Sequence, residues 1–343
     1  MADGKRIAWI DTAKFIGITC VVMSHLEACP SVLLRFFSPF YLTVFLFVSG
    51  YCYKDRTDEP FRQFLLRKTK QLFVPWLVFS LFSILSRAVF SANAHASIGE
   101  ELLWNFLQIR ENMDEIWFVA ALFVAYIPFY FIVRHTNDKK KRLWAMILLG
   151  VGAWFYAFYP RLLPPDVFPW KGCALPWHIE YIPFAAFFMY AGYCFKTAGP
   201  EALFDRYNTH VSRALLAAVY LCGVYAVPEL PDASAAFSLL REVMGVALVV
   251  SVCKAVKTNR FTSYIGANTV IVFGLHGKVY SIVQSVLHHY FADAYAAICA
   301  NVPLSSLFVI CFALGVELVL ILPIWIINRY LPFIVGRGRS TQK

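Results

Sequence analysis

Long apolar runs separated by short polar segments extend over most of the chain. Each run is close to the roughly 20 residues that an α-helix needs to cross the hydrocarbon core of a bilayer. A transmembrane β-barrel would instead alternate apolar and polar residues in short segments. The pattern therefore predicts an all-α, polytopic membrane protein. We expect about ten membrane-spanning helices, near 7–27, 36–53, 71–91, 116–133, 143–159, 177–195, 213–228, 236–253, 264–287 and 304–327.

The polar segments are too short to hold a separate soluble domain. The longest are 54–70, 92–115, 160–176 and 288–303, and no fixed period of 20–50 residues appears. One short echo occurs, because FVSGYCYK at 47–54 resembles MYAGYCFK at 189–196. A small residue, an aromatic residue and a lysine also make an ordinary end to a span, so the echo does not establish a duplication. We expect a single integral membrane domain over residues 1–343.

The composition agrees with a membrane protein, and the distribution of charge gives its orientation. The chain is 59% hydrophobic and 15% charged, with a mean hydropathy of +0.60. If both termini are cytoplasmic, 23 of the 31 Lys and Arg residues lie in cytoplasmic segments and 5 in outer loops. This bias is the positive-inside rule, so it explains the net charge of +10 without a nucleic-acid partner. We therefore expect both termini in the cytoplasm.

The nine cysteines are scattered singly and form no C-x-x-C pair. Most lie in apolar runs, where cysteine behaves as a small hydrophobic residue. Cys29, Cys173 and Cys299 fall in or near outer loops, but nothing in the sequence supports a disulfide between them. The first span lacks a small-residue cleavage site, so we expect it to stay in the protein as a helix.

The first span, IDTAKFIGITCVVMSHL at 10–26, carries three ionisable residues, each of which is costly in hydrocarbon unless paired or hydrated. Asp11 and Lys14 are three residues apart and therefore share a helix face. Eleven residues, about three turns or 16 Å, separate Lys14 from His25. Lys14 alone is also compatible with snorkelling to the interface. Snorkelling does not explain why Asp11 and His25 lie on the same stripe, so we favour a polar, water-accessible pocket.

A histidine in such a pocket is a natural general base, because its unperturbed pKa is near 6.5. The imidazole of His25 is suited to taking a proton from a hydroxyl group or to accepting an acyl group itself. Lys14, held by Asp11, suits the stabilisation of an anion, either a phosphate or a developing oxyanion. We expect His25, Lys14 and Asp11 to be the catalytic residues, with Lys14 and Asp11 orienting His25 and supporting it electrostatically. No zinc spacing, glycine-rich phosphate loop or Ser-His-Asp order appears, so we expect no metal.

These residues resemble the acyltransferase 3 family of integral membrane acyltransferases, whose first-helix signature is Arg or Lys, ten residues, then His. Other stretches are similar to that family in the same order. They are FFSPFYLTVFLFVSGYCY at 36–53, FRQFLLRKTKQLFVPW at 61–76, IWFVAALF at 116–123, IPFAAFFMYAGYCF at 182–195 and IGANTVIVFGLH at 265–276. The resemblance covers nearly the whole chain and is strongest to small members that act on envelope sugars.

The resemblance implies a multi-pass enzyme of the inner (cytoplasmic) membrane. Such an enzyme transfers an acyl group, usually acetyl from acetyl-CoA, to a hydroxyl of a glycan or a lipid-linked sugar. The signature residues fall on Lys14 and His25. The family's basic pair before the third helix points to Arg67, Lys68 and Lys70 as ligands of CoA. Arg67 and Lys70 fit that pair by charge, whereas the spacing to Pro75 favours Lys68 and Gln71. Ordinary positive-inside charge also explains this cluster.

Further residues are weaker candidates. His276 lies within the ninth span and either lines the pocket or bonds a backbone group, and the resemblance favours the pocket. Trp117 and Glu180, near the outer ends of their spans, are candidates for holding an acceptor sugar. Arg87 and Glu317 are predicted to form a structural ion pair.

Two other classes of function stay open. In a secondary transporter or acyl-donor conduit, the polar stripe of the first helix would be a path for protons or substrate. In a sensor or partner module that has lost catalysis, the protein would neither bind CoA nor carry solute.

Overall fold

The computed structural model describes residues 7–56, 58–90, 97–109, 116–158, 175–226 and 237–337. Within these ranges the regular structure is helical, and no β-strand occurs. The described α-helices are α1 (Ala8–Ser24), α2 (Ser31–Phe37), α3 (Thr43–Tyr51), α4 (Phe61–Lys68), α5 (Val74–Phe90), α6 (Ile98–Leu107), α7 (Trp117–His135), α8 (Lys139–Tyr156), α9 (Ile182–Thr197), α10 (Pro200–Tyr207), α11 (His210–Tyr225), α12 (Ser238–Ala255), α13 (Arg260–Ala267), α14 (Thr269–Tyr290), α15 (Ala292–Ala300) and α16 (Val302–Tyr330). The all-α class is confirmed.

Helical structure overlaps each of the ten stretches predicted to span a membrane. Of the described helices, four are long and apolar enough to cross a bilayer. They are Phe61–Val89, Trp117–His135, Thr269–Tyr290 and Val302–Tyr330. The number of ten spans and the cytoplasmic termini therefore stay predictions.

Several segments predicted as loops are helical. Helix α4 begins at Phe61, inside the predicted loop 54–70, while α6 and α15 lie inside 92–115 and 288–303. A capping box begins α6, because the Ser97 side chain accepts from the backbone of Glu100 and the Glu100 carboxylate accepts from the backbone of Ser97. This reciprocal cap satisfies N–H groups that would otherwise favour an irregular loop.

The chain divides into two compact units. Unit 1 comprises Met1–Tyr51 and Gly192–Ile324, and unit 2 comprises Cys52–Ala191 and Trp325–Lys343. A single domain over residues 1–343 stays a prediction.

Helix α1 lies at the centre of unit 1, where it packs against α3, α12, α13 and α14. Its contact with α13 is a backbone contact made possible by a glycine. A Cβ atom on Gly266 would lie 2.0 Å from the carbonyl oxygen of Asp11, closer than any side chain can approach. Gly266 therefore sets the spacing between α13 and the first turn of α1.

The two echo segments end α3 and α9 and contact each other within unit 1. A Cβ atom on Gly192 would lie 1.9 Å from the carbonyl oxygen of Phe47, so glycine permits the close approach. Phe195 packs against Phe47 with ring centroids 5.5 Å apart, and the Lys196 ammonium lies 3.3 Å from the carbonyl oxygen of Tyr51. The similarity of the two segments thus coincides with one small-residue helix contact.

Unit 2 is built around one long helical segment. Helices α4 and α5 are joined by a π-helical turn, Thr69–Phe73, and this turn packs against α7. A π-turn inserts an extra residue into an α-helix and is common at functional sites. Here it follows directly after the basic residues Arg67 and Lys68.

Replacing Gly266 with alanine should destabilise the protein by several kcal/mol, because the new methyl group overlaps the Asp11 carbonyl and forces α13 away from α1. The measurement is the thermal unfolding midpoint in nanodiscs. Gly315→Ala is the matched control, because Gly315 also lies inside a helix, α16. No atom lies within 4 Å of the Cβ atom that this substitution adds. We expect the control to be neutral or stabilising by up to about 1 kcal/mol. Equal midpoints for the two variants would contradict the close contact.

Candidate functional site

Three side chains of α1, those of Asp11, Thr12 and Thr19, are buried and polar. Each is hydrogen-bonded to a residue more than 240 positions away in the chain. The partners are Ser263 Oγ on Asp11 Oδ2 at 3.3 Å, Thr258 Oγ1 with Thr12 Oγ1 at 2.8 Å and Glu317 Oε1 with Thr19 Oγ1 at 2.6 Å. These three polar groups of an apolar helix are therefore bonded to distant segments of unit 1.

Lys14 differs from these three residues. It is half-buried and makes no ion pair with any residue in the described ranges, whereas Asp11 accepts a hydrogen bond from Ser263. An interior cation without a carboxylate partner is costly unless water or an anion meets it. The geometry therefore leaves the charge of Lys14 available to an anionic ligand.

The Thr19–Glu317 pair lies inside unit 1, and Glu317 is fully buried. The Thr19 hydroxyl also lies 2.8 Å from the carbonyl oxygen of Phe15. A hydroxyl has one hydrogen to donate. If that hydrogen goes to Phe15, the short contact with Glu317 requires a protonated carboxyl that donates to Thr19. The pair thus accommodates either direction of donation.

The predicted ion pair between Arg87 and Glu317 is wrong. Arg87 binds Glu101 at 3.2 Å and donates to Ser83 at 2.8 Å, both within unit 2. The reason is local, because α6 packs against α5 and brings a carboxylate from only 14 residues away.

His25 and His276 lie together in unit 1, with ring centroids 5.1 Å apart and planes tilted by 53°. His25 follows the last turn of α1 and is exposed, whereas His276 is fully buried in α14. The Nδ1 atom of His276 lies 2.9 Å from the carbonyl oxygen of Val272. A carbonyl can only accept, so Nδ1 carries the hydrogen and Nε2 is the acceptor nitrogen. His276 therefore bonds a backbone group, as one of the two alternatives predicted, and it also lies beside His25, whereas its place in a pocket stays a prediction.

In unit 2, the charge of Arg67, the first of the three basic candidates, is paired with a carboxylate. Arg67 donates two hydrogen bonds to the carboxylate of Glu59, at 3.0 Å from Nε and 2.6 Å from Nη2. Bidentate pairs between arginine and a carboxylate are strong, charge-assisted interactions. This one holds the pKa of Glu59 below its ordinary value. The pair joins the last turn of α4, which carries Arg67, to the segment that precedes the helix.

Lys68 is the buried member of the basic segment. Its ammonium lies 3.4 Å from the centroid of the Tyr126 ring and 6.0 Å from that of Phe64, which is a cation–π arrangement. Its residue is only 8% exposed, and it makes no ion pair with a carboxylate of the described residues. Its aromatic surroundings orient the cation without cancelling its charge.

Lys70 lies in the π-turn and is exposed. The backbone of Gly336 approaches its carbonyl group so closely that a Cβ atom there would lie 2.1 Å from the oxygen. Gly336 has φ of +66°, a left-handed conformation that favours glycine. The three basic candidates therefore occupy three different environments.

Trp117 contacts a histidine that the sequence reasoning missed. His178 is almost fully buried, and its ring centroid lies 5.1 Å from that of Trp117. Trp177 and His178 both have positive φ, 57° and 55°, an uncommon conformation for residues other than glycine that often marks functional sites. Glu180 accepts a hydrogen bond from the backbone of Leu175 at 3.0 Å, so it stabilises this turn.

The signal for His178 was present in the sequence. It is an ionisable residue at the edge of an apolar run, which is the same signal that identified His25. Thr19 carried no such signal, because threonine is common in apolar helices and its partner is distant in sequence.

The described residues contain no group of three or more His, Cys, Asp or Glu side chains placed to hold a metal ion. Cys29 and Cys299 are free thiols, and Cys173 lies outside the described residues.

Comparison with known families decides the class of protein. The acyltransferase 3 model, described as an acyltransferase domain, matches residues 7–322. This match covers most of the chain and includes both units. The chain belongs to the acyltransferase 3 family. No curated protein and no solved structure matches it.

Family membership and the apolar helices together support an acyltransferase of a membrane. The match includes Lys14 and His25 as well as the basic segment.

Glu59→Gln should destabilise this acyltransferase by about 1–3 kcal/mol at neutral pH, because the charged pair with Arg67 is lost. The pKa of Glu59 is lowered in the folded protein, so the stabilisation is present above the unfolded value of about 4.3 and is lost as the pH falls through the lower folded value. The difference in unfolding midpoint between wild type and variant should therefore shrink below pH 4. Asp58→Asn, at an exposed neighbouring carboxylate, is the control. A difference that does not change with pH would contradict the charged pair.

Thr19→Val should destabilise the protein by about 1–3 kcal/mol, because it leaves the buried carboxyl of Glu317 without its partner. Ser24→Ala, which removes a bond from the same helix to the carbonyl of Val21, should cost less. In a double-mutant cycle, Thr19→Val and Glu317→Leu should couple by at least about 0.5 kcal/mol. Additive effects would show that the two side chains do not interact.

Proposed function

We propose that this acyltransferase moves an acetyl group from cytoplasmic acetyl-CoA to a hydroxyl of a cell-envelope glycan or lipid-linked sugar, with His25 as the general base. The observation that carries the proposal is the pair of histidines in unit 1. An exposed imidazole beside a fully buried one provides a base that substrate can reach and a neighbour whose tautomer is set by the backbone. Membership of the acyltransferase family supplies the class of reaction.

In the proposed reaction, His25 takes the proton of the acceptor hydroxyl as its oxygen attacks the thioester carbonyl. The carbonyl carbon becomes tetrahedral, its oxygen carries the negative charge, and the C–S bond then breaks. The CoA thiolate leaves and receives the proton from His25, so the base is restored. General-base catalysis of this kind is worth about 10²–10⁴ in rate.

Lys14 is assigned to the donor rather than to the oxyanion. It lies eleven residues from His25 along α1, a distance of about 16 Å, so it is too far away to stabilise charge on a carbonyl beside His25. An extended CoA molecule carries phosphates at one end and the thioester at the other. Lys14 is placed to meet one of those phosphates, while Asp11 fixes α13 through Ser263.

The basic segment of unit 2 is assigned to CoA with different roles for its members. Lys68 keeps an uncancelled charge among aromatic rings, and Lys70 is exposed, so both suit phosphate contacts. Arg67 is already bound to Glu59 and acts by joining the last turn of α4 to the segment before that helix. The bilayer, acetyl-CoA and the glycan acceptor are the partners that this proposal requires, in the inner membrane.

The acceptor sugar is assigned to the Trp117 cluster of unit 2. An indole offers a flat apolar face to a sugar ring, and His178 offers a polar ring beside it. Glu180 acts indirectly, by holding the turn that carries His178.

A secondary transporter or acyl-donor conduit is the alternative. It is favoured by the ionisable groups that lie on or against α1, namely Asp11, Glu317 and His25, because ionisable groups within a helical bundle are typical of proton paths. Solute uptake into proteoliposomes without consumption of acetyl-CoA would support it against the transferase.

Replacing His25 with alanine should lower CoA release from acetyl-CoA by about 10²–10⁴-fold in protein purified into lipid nanodiscs, because the general base is removed. Acetyl-CoA binding should persist. His289→Ala, an exposed histidine of α14, is the matched control and should keep wild-type turnover. Wild-type turnover in His25→Ala, or no turnover in the wild type with any envelope sugar, would contradict the proposal.

A further inference from the structure

A cavity of about 740 Å³ lies in unit 1 where α1 begins, and no role in the proposed reaction has been assigned to it. Its walls are the first turn of α1, the end of α10 and the start of α11 with their connection, and the segment Cys253–Thr258, which comprises the last turn of α12 and the residues after it. Ligand sites in proteins commonly have volumes of about 300–1,000 Å³. The cavity is therefore large enough for a nucleotide.

The walls are held by a hydrogen-bond network of their own. Asn208 donates to the carbonyl of Ser251 at 3.1 Å and accepts from the Ser251 hydroxyl at 2.6 Å. Lys254 binds Glu201 at 2.6 Å and Asp205 at 2.8 Å. These contacts tie α10 to α12, so the shape of the cavity does not depend on a ligand.

The charge that lines the cavity is positive. The charge of Lys254 is compensated by its two carboxylates. Arg213 and Lys257 also line the cavity, and neither pairs with a carboxylate of the described residues. Three cations therefore stand against two carboxylates, and the net positive charge of one in a concave site favours an anionic ligand.

The orientation of Arg213 leaves donors for that anion. Its Nη1 donates to both oxygens of Asn208, and its Nη2 lies 3.1 Å from Nδ1 of His210. A guanidinium has five N–H groups. The Nε–H and one Nη2 hydrogen therefore remain without a partner in the described chain, which suits a phosphate oxygen pair.

The remaining wall is aromatic. The half-buried indole of Trp9 lines the cavity and is held by an edge contact with Tyr51, with ring centroids 5.0 Å apart. Stacking of a nucleobase on an aromatic side chain is worth about 1–3 kcal/mol. The cavity therefore combines an aromatic ring that suits a planar base with cations, Arg213 and Lys257, that suit phosphates.

We propose that this cavity binds the adenine nucleotide part of a phosphorylated ligand, with the base on Trp9 and the phosphates on Arg213 and Lys257. Two sources share that chemistry: the 3′-phosphorylated ADP moiety of acyl-CoA and a free adenine nucleotide. The first source rests on the proposed function and extends the donor site to these residues. The second does not depend on it.

The test is calorimetric titration of the full chain in phosphatidylcholine nanodiscs with CoA, adenosine 3′,5′-bisphosphate and ADP. Arg213→Gln and Lys257→Gln should each weaken nucleotide binding by about tenfold, because each removes a charged phosphate contact. Arg206→Gln is the matched control, since Arg206 stacks on Tyr207 and does not line the cavity. Lys257 is exposed and has no hydrogen-bond partner among the described residues, so its variant should unfold at the wild-type midpoint.

The outcomes separate the two sources. If Lys257→Gln raises the KM for acetyl-CoA about tenfold with kcat unchanged, the ligand is the donor. If the variants lose adenine nucleotides while acetyl-CoA kinetics stay as in the wild type, the ligand is a free nucleotide.

Absence of nucleotide binding, or equal binding by wild type and both variants, would overturn the inference. Competition by inorganic phosphate as strong as that by the nucleotides would overturn the role of Trp9. CoA release that depends on His25 but is unaffected by Arg213 and Lys257 would leave the proposed function standing while this inference fails.

Discussion

The structure of unit 1 depends on the cost of placing polar groups in an apolar helix. Asp11, Thr12 and Thr19 would each cost several kcal/mol in hydrocarbon if left unpaired. Each is instead hydrogen-bonded to a residue far away in the chain. The partners are Ser263 on α13, Thr258 just before α13, and Glu317 on α16. These bonds fix α1 among its neighbours, and the backbone contact at Gly266 sets the spacing at its first turn. The chemistry proposed for His25 depends on this fixed helix.

The satisfied polar groups also identify the groups that are available to ligands. Lys14 has no ion pair in the described chain, and Lys68 is surrounded by aromatic rings rather than carboxylates. Arg67 is bound to Glu59. Arg67 and Lys68 are neighbours with the same positive charge but have different surroundings, which a count of basic residues cannot distinguish.

The sequence was sufficient to predict helices in all the long apolar runs and to single out Lys14 and His25, because periodicity and ionisable residues in apolar segments are local signals. It was insufficient for the interruption between α2 and α3, the π-turn at Thr69–Phe73 and the helix Ile98–Leu107. The interruption and the π-turn depend on packing between helices. The helix Ile98–Leu107, in contrast, begins with a capping box whose residues, Ser97 and Glu100, are a recognisable sequence signal. The Thr19–Glu317 bond joins residues 298 positions apart, so no local pattern could reveal it.

The central claim is that His25 lies where the acyl group of CoA is transferred, and bromoacetyl-CoA tests it most directly. The methylene carbon of its bromoacetyl group forms a bond to a nearby nucleophile as the C–Br bond breaks and bromide leaves, and peptide mass spectrometry locates the adduct. The account predicts an adduct on His25 that acetyl-CoA prevents, and none on the fully buried His276. An adduct that acetyl-CoA prevents on another residue, with His25 unmodified, would contradict it.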